Sequence, residues 1–143
     1  AALSCDVSEE QICKAKKFGQ DLGIIFQIKD DIFDYFDSEE IGKPTGNDMS
    51  EGKLTLPAIY ALRSTNNEDM YKIALKVKSH DVTQGEINEL VAFTKANGGI
   101  EYAEKVMSEL HESCNSFIRD NITDKDIQES LYKYVEFVIQ RTK

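Results

Sequence analysis

The sequence predicts an all-α protein, on three observations. Apolar residues recur at three- and four-residue spacing along nearly the whole chain. Helix start and stop signals bracket those runs. No strand alternation of useful length, repeat or interdomain linker interrupts them. The 143 residues suit a single all-helical segment long enough to bury a core.

Ser8 with Gln11 three positions later is a capping-box start, and the helical pattern from there runs to about Phe36. Residues 37–53, rich in Gly, Asp, Ser and Pro, read as a loop. Thr55-Leu56-Pro57 opens the next helix, with proline in its first turn. A polar break at 64–69 precedes a short helix over about 69–78. The next helix, 83–96, stops at Asn97-Gly98-Gly99, a glycine C-cap. Residues 100–120 carry a core-facing stripe from Ile100 to Ile118, and a last helix spans about 124–141.

Composition excludes several classes. Seventeen basic residues against 26 acidic ones give a net charge of −9, which argues against a nucleic-acid partner. No apolar stretch approaches the ~20 residues of a membrane span, so no transmembrane segment is expected. Three cysteines without metal-ligand clustering read as reduced thiols in a cytoplasmic protein. A net-negative protein takes an anionic ligand only where cations or local lysines invert the sign.

The chemistry concentrates between residues 19 and 57. At 100° per residue, Gly19, Gly23, Gln27, Asp30 and Asp34 share one helix face, within about 80° of one another, with Asp31 flanking it. Leu22, Ile25, Phe26, Ile32, Phe33 and Phe36 fall on another face, expected to be core. Carboxylates one turn apart repel, and the macrodipole disfavours them late in a helix. A cation compensates both effects, and an all-oxygen donor set points to magnesium. A solvated acidic face fits the spacing equally well. Gly19 and Gly23 leave room for either a ligand or a closely packed helix. The loop that follows carries Gly42-Lys43-Pro44-Thr45-Gly46-Asn47-Asp48 and Gly52-Lys53. Lysines beside a metal-binding carboxylate cluster are what a diphosphate needs.

The run from Phe26 to Pro57 resembles the FQxxDDxxD, GKxxGxD and GKxTLP elements of trans-prenyl diphosphate synthases, in order and spacing. The resemblance implies the isoprenoid synthase fold, a helical bundle, and a prenyltransferase of isoprenoid biosynthesis. Such an enzyme ionises an allylic diphosphate, and isopentenyl diphosphate attacks the resulting cation. By position, Asp30 would be a direct Mg2+ ligand, with Asp31 and Asp34 acting through hydrogen bonds or water. Lys43 would contact the allylic diphosphate directly, with Lys53 close behind it, and Gln27 would lie near the reacting carbons or the diphosphate. Arg141 and Lys143 could approach isopentenyl diphosphate or be a solvated tail.

The family's first aspartate-rich motif is absent, and Ala1-Ala2-Leu3 reads as helix interior. The chain is therefore expected to be a C-terminal piece of a polyprenyl synthetase domain, inactive alone, and part of a homodimer when whole. The alternatives are a regulatory subunit completing a site with a partner chain, and a helical interaction module. The isolated piece is expected to self-associate.

Overall fold

The computed structural model describes residues 8–36 and 45–141. The described residues form seven α-helices: α1 (Glu9–Phe33), α2 (Asn47–Ser50), α3 (Leu56–Thr65), α4 (Glu68–Lys78), α5 (Gln84–Ala96), α6 (Gly99–Asn121) and α7 (Lys125–Gln140). No strand occurs among them. The all-α class therefore holds. Two boundaries move. Helix α1 ends at Phe33 rather than near Phe36, and the stretch expected as loop contains α2. Among the described residues no helix is long and apolar enough to cross a membrane.

Local side-chain chemistry starts these helices. At α1, Gln11 N donates to Ser8 Oγ (3.3 Å) and Ser8 N donates to Gln11 Oε1 (3.0 Å), the reciprocal box read from sequence. Thr83 and Glu86 form the same box at α5. Asn67 and Asp124 cap α4 and α7, each accepting two backbone N–H groups of the first turn. Gly98, at φ +73°, ends α5 in the left-handed conformation that glycine adopts without strain.

The chain divides into two compact units, and the divisions fall inside α1 and α6. One unit, Asp30–Lys105, is organised around α5, which packs against α2, α3 and α4. Its core takes Ile87, Leu90 and Val91 from α5, and Ala58, Ala61 and Leu62 from α3. Helix α4 adds Met70, Ile73, Ala74 and Val77, a buried stripe at helical spacing. Lys76 of α4 pairs with Glu86 of α5. Tyr60 and Tyr102 stack with ring centroids 4.0 Å apart, as packing residues. A Cβ on Gly99 would lie 2.6 Å from the Pro57 carbonyl oxygen, so the start of α6 sits flush against the start of α3.

The other unit comprises Ala1–Lys29 and Val106–Lys143. Phe18 stacks on Phe117 with centroids 4.8 Å apart, and Cys114, Ile118 and Val135 are fully buried. Asp21 is only 5% exposed. Its carboxylate accepts from Lys17 Nζ (2.5 Å) and Ser113 Oγ (2.8 Å), which satisfies the buried charge. His111 Nε2 lies 3.2 Å from Glu136 Oε1.

The face expected to be core is only partly so. Ile25 and Ile32 are buried, while Phe26 and Phe36 are 41% and 50% exposed. Phe36 lies beyond the end of α1, where the 100° wheel no longer applies. Tyr71 and Tyr134 are exposed rather than packed.

Candidate functional site

The last turn of α1 carries no basic residue, and Asp30 and Asp31 stand at the negative end of the helix dipole. Asp34 stands just past the helix, its N–H still directed at the Asp30 carbonyl (3.3 Å). Asp34 also meets the start of α2. The Asp34 carbonyl accepts from Gly46 N (2.9 Å). Its Oδ1 accepts from Asn47 N (3.0 Å) and its Oδ2 from Asp48 N (3.0 Å). Three successive N–H groups at the start of α2 are thus held by one residue, where Gly46 makes no side-chain cap.

Gly46 permits this approach. Its φ is +80°, and a Cβ there would collide with Ile87 Cγ2. Met49, 2% exposed, anchors α2 in the core.

Asp31 performs a similar service for α3. The Leu56 N–H, at the first residue of that helix, favours the charged form of the Asp31 carboxylate. Thr55, the N-cap, makes no side-chain cap of its own. Its hydroxyl meets the Tyr35 hydroxyl instead, at 3.1 Å. Tyr35 is 2% exposed, and burial pushes its phenol up to about 12. Residues 31–35 therefore template the starts of both following helices.

The result is a crowd of carboxylates. Burial, then the charge of Asp48, raise the Asp31 carboxyl to about 6, with Asp30 and Asp34 adding to the effect and the Leu56 N–H opposing it. The Asp48 carboxyl is also raised, by burial and then by Asp34, with Lys53 acting against the shift. Lys53 Nζ lies 3.7 Å from Asp48 Oδ1 and 2.6 Å from Glu51 Oε2. Lys53 is exposed, so these pairs are weak and exchangeable for another anion.

Of the residues singled out in the sequence, Asp31, Asp34 and Lys53 come together through Asp48. Asp30 belongs to the same unit and adds to the charge on Asp31. Among the described residues, no three His, Cys, Asp or Glu side chains are arranged to hold a metal ion. Two of the aspartates are directed at helix N-termini. Lys43 and Lys143 lie outside the described residues. Gln27 is exposed on α1, and a Cβ on Gly19 or Gly23 would meet nothing within 4 Å. Among the described residues, open space rather than close helix packing lies beside both glycines.

Sequence reasoning missed Tyr35 and gave Asp48 no role. Tyr35 directly follows the aspartate motif, and Asp48 closes the GKPTGND element, so both stood beside the signal.

The polyprenyl synthetase family model matches residues 1–94, and the chain belongs to that family. It is similar to the geranylgeranyl pyrophosphate synthase of Bacteroides thetaiotaomicron, whose crystal structure superposes with a TM-score of 0.90 at 48% identity. That match covers 98% of this chain and 46% of that one. A second solved structure, geranylgeranyl pyrophosphate synthase from Corynebacterium glutamicum complexed with calcium and isoprenyl diphosphate, gives a TM-score of 0.74 at 29% identity. It covers 94% of this chain and 41% of the other. Heptaprenyl diphosphate synthase component 2 of Bacillus subtilis is 35% identical over 118 residues, 77% of this chain and 32% of that protein. In all three the chain spans less than half of the other protein's length.

Proposed function

We propose that this chain supplies the second aspartate-rich, Mg2+-diphosphate half of a trans-prenyltransferase active site. The whole protein would condense isopentenyl diphosphate with an allylic diphosphate and work as a homodimer. The observation that carries this is the carboxylate crowd of Asp31, Asp34 and Asp48 beside an exchangeable lysine. Burial and then the charge of Asp48 raise Asp31 to about 6, and the side chains gathered there offer hard oxygen donors. A divalent cation fits both facts, and a relative's crystal structure is of a complex with calcium and isoprenyl diphosphate.

In the reaction the allylic C–O bond breaks, diphosphate leaves, and the double bond of isopentenyl diphosphate attacks the cation before a proton is lost. Bound magnesium supplies the positive charge that stabilises the departing diphosphate. Asp30 would hold the metal directly, and Asp31 and Asp34 would act through hydrogen bonds or bound water. Lys43 and Lys53 meet diphosphate oxygens as point charges, and Gln27 lies near the reacting carbons or the diphosphate. Asp34 also holds the chain that carries Lys53, since it fixes the start of α2.

The second reading is a subunit that completes its site with a partner chain. Similarity to a component 2 of a heptaprenyl synthase favours keeping it. Co-expression with a chain bearing the first aspartate-rich motif separates the two. Either reading predicts no turnover by the 143 residues alone. Activity restored by the separate chain would select the subunit, and activity seen only in one continuous polypeptide would select the first reading. Turnover by the isolated chain would overturn both.

A further inference from the structure

Arg141 closes α7, its N–H bonded to the Phe137 carbonyl (3.0 Å), and its side chain turns inward. The guanidinium carbon lies 3.8 Å from the centroid of the Phe26 ring. Nη2 donates to the Phe26 carbonyl oxygen at 3.0 Å, across 115 positions of sequence. One planar cation thus grips both the side chain and the backbone of a single residue. A guanidinium suits this better than an ammonium, because it lies flat on the ring while its edge N–H groups donate in fixed directions.

Phe26 immediately precedes Gln27, and both stand on the exposed side of a helix anchored on its other side by the buried Ile25 and Ile28. Gly19 and Gly23 sit in the interior of α1, and among the described residues nothing lies within 4 Å of a Cβ position on either. Phe26 itself is 41% exposed, and Arg141 is what lies over its ring.

We propose that Arg141 is a positioning residue: it latches the Phe26 segment of α1 and thereby fixes Gln27 for the reaction. The inference rests on the function proposed above. It gives the basic C-terminus a role through the protein, not through contact with isopentenyl diphosphate.

The test is a double-mutant cycle in the whole protein, with Arg141→Ala, Phe26→Leu and the pair, read as prenyl-transfer kinetics and as unfolding midpoint. Arg141→Ala should lower kcat/KM about 10-fold, mostly in kcat, with the KM for isopentenyl diphosphate little changed. Arg141→Lys should recover only part of the loss. In the Phe26→Leu background the Arg141 substitution should cost little further, in either readout. Additive losses, with a KM for isopentenyl diphosphate that rises more steeply with salt, would show direct substrate contact and overturn the latch. A lowered midpoint with unchanged kinetics would reduce Arg141 to a structural tie and overturn it equally. If the unmodified whole protein transfers no prenyl group, the proposed function fails and takes the catalytic role of Arg141 with it. An active parent with an unaffected Arg141→Ala variant sinks the latch alone.

Discussion

Tyr35 shows how much a single hydroxyl can hold. Buried beside Asp31 and Asp34, it meets the hydroxyl of Thr55 at the start of α3. Tyr35→Phe keeps the packing and removes the bond, so it should cost about 1 kcal/mol in urea unfolding at neutral pH. The cost should depend on pH. The folded phenol is raised to about 12 from an ordinary value of 10.0, so the unfolded chain releases its proton first as pH rises. Stability tied to Tyr35 is therefore complete below pH 10 and is lost through about 12. The gap between the parent and Tyr35→Phe should narrow over that window; a constant gap would mean that the phenol is not buried as described. None of this was legible in sequence. The partner sits 20 positions away, and only the return of the chain at residues 45–55 brings it close.

At the scale of elements, the two aspartates of interest should separate by readout. Asp34 holds the start of α2 through both carboxylate oxygens, so Asp34→Ala should destabilise by roughly 1–2 kcal/mol as well as lower activity. The glycines separate in the same way. Gly46→Ala meets a positive φ and the side chain of Ile87, and should lower the unfolding midpoint by more than an ordinary surface change. Gly23→Ala enters open space within a helix and should raise stability by about 0.5–1 kcal/mol. If that space serves a ligand, the same variant should lose activity. A Gly23→Ala protein that is both more stable and fully active would remove the glycine face from the site.

The element scale also explains what sequence could and could not give. Helical period separated the faces of α1 and placed Gly19, Gly23, Gln27 and Asp30 together, because that depends on rotation alone. It does not say what covers each face, so Phe26 read as core although it is 41% exposed with Arg141 over its ring. Nor could it show α2, whose four residues are too few for a period and are held by Asp34.

For the whole molecule, exposed apolar residues are numerous: Ile24, Phe26, Phe36, Tyr71, Leu75, Ile127, Tyr134 and Phe137. Isolated apolar residues at a surface are ordinary, but Tyr134 and Phe137 share one face of α7 with Ile127. The 143 residues alone should therefore self-associate, and sedimentation equilibrium should show a mass that rises with concentration. A compact monomer throughout would mean that these helices close their own core, and it would favour the subunit reading. The central claim is that the aspartate motif holds a catalytic divalent cation. It is tested most directly by Asp30→Asn in the whole protein, with prenyl transfer followed across a magnesium titration and the unfolding midpoint measured alongside. The account predicts a loss of ~100-fold or more, a raised magnesium requirement and a midpoint close to that of the parent; parental activity at the parental magnesium requirement would contradict it and return the motif to a solvated acidic face.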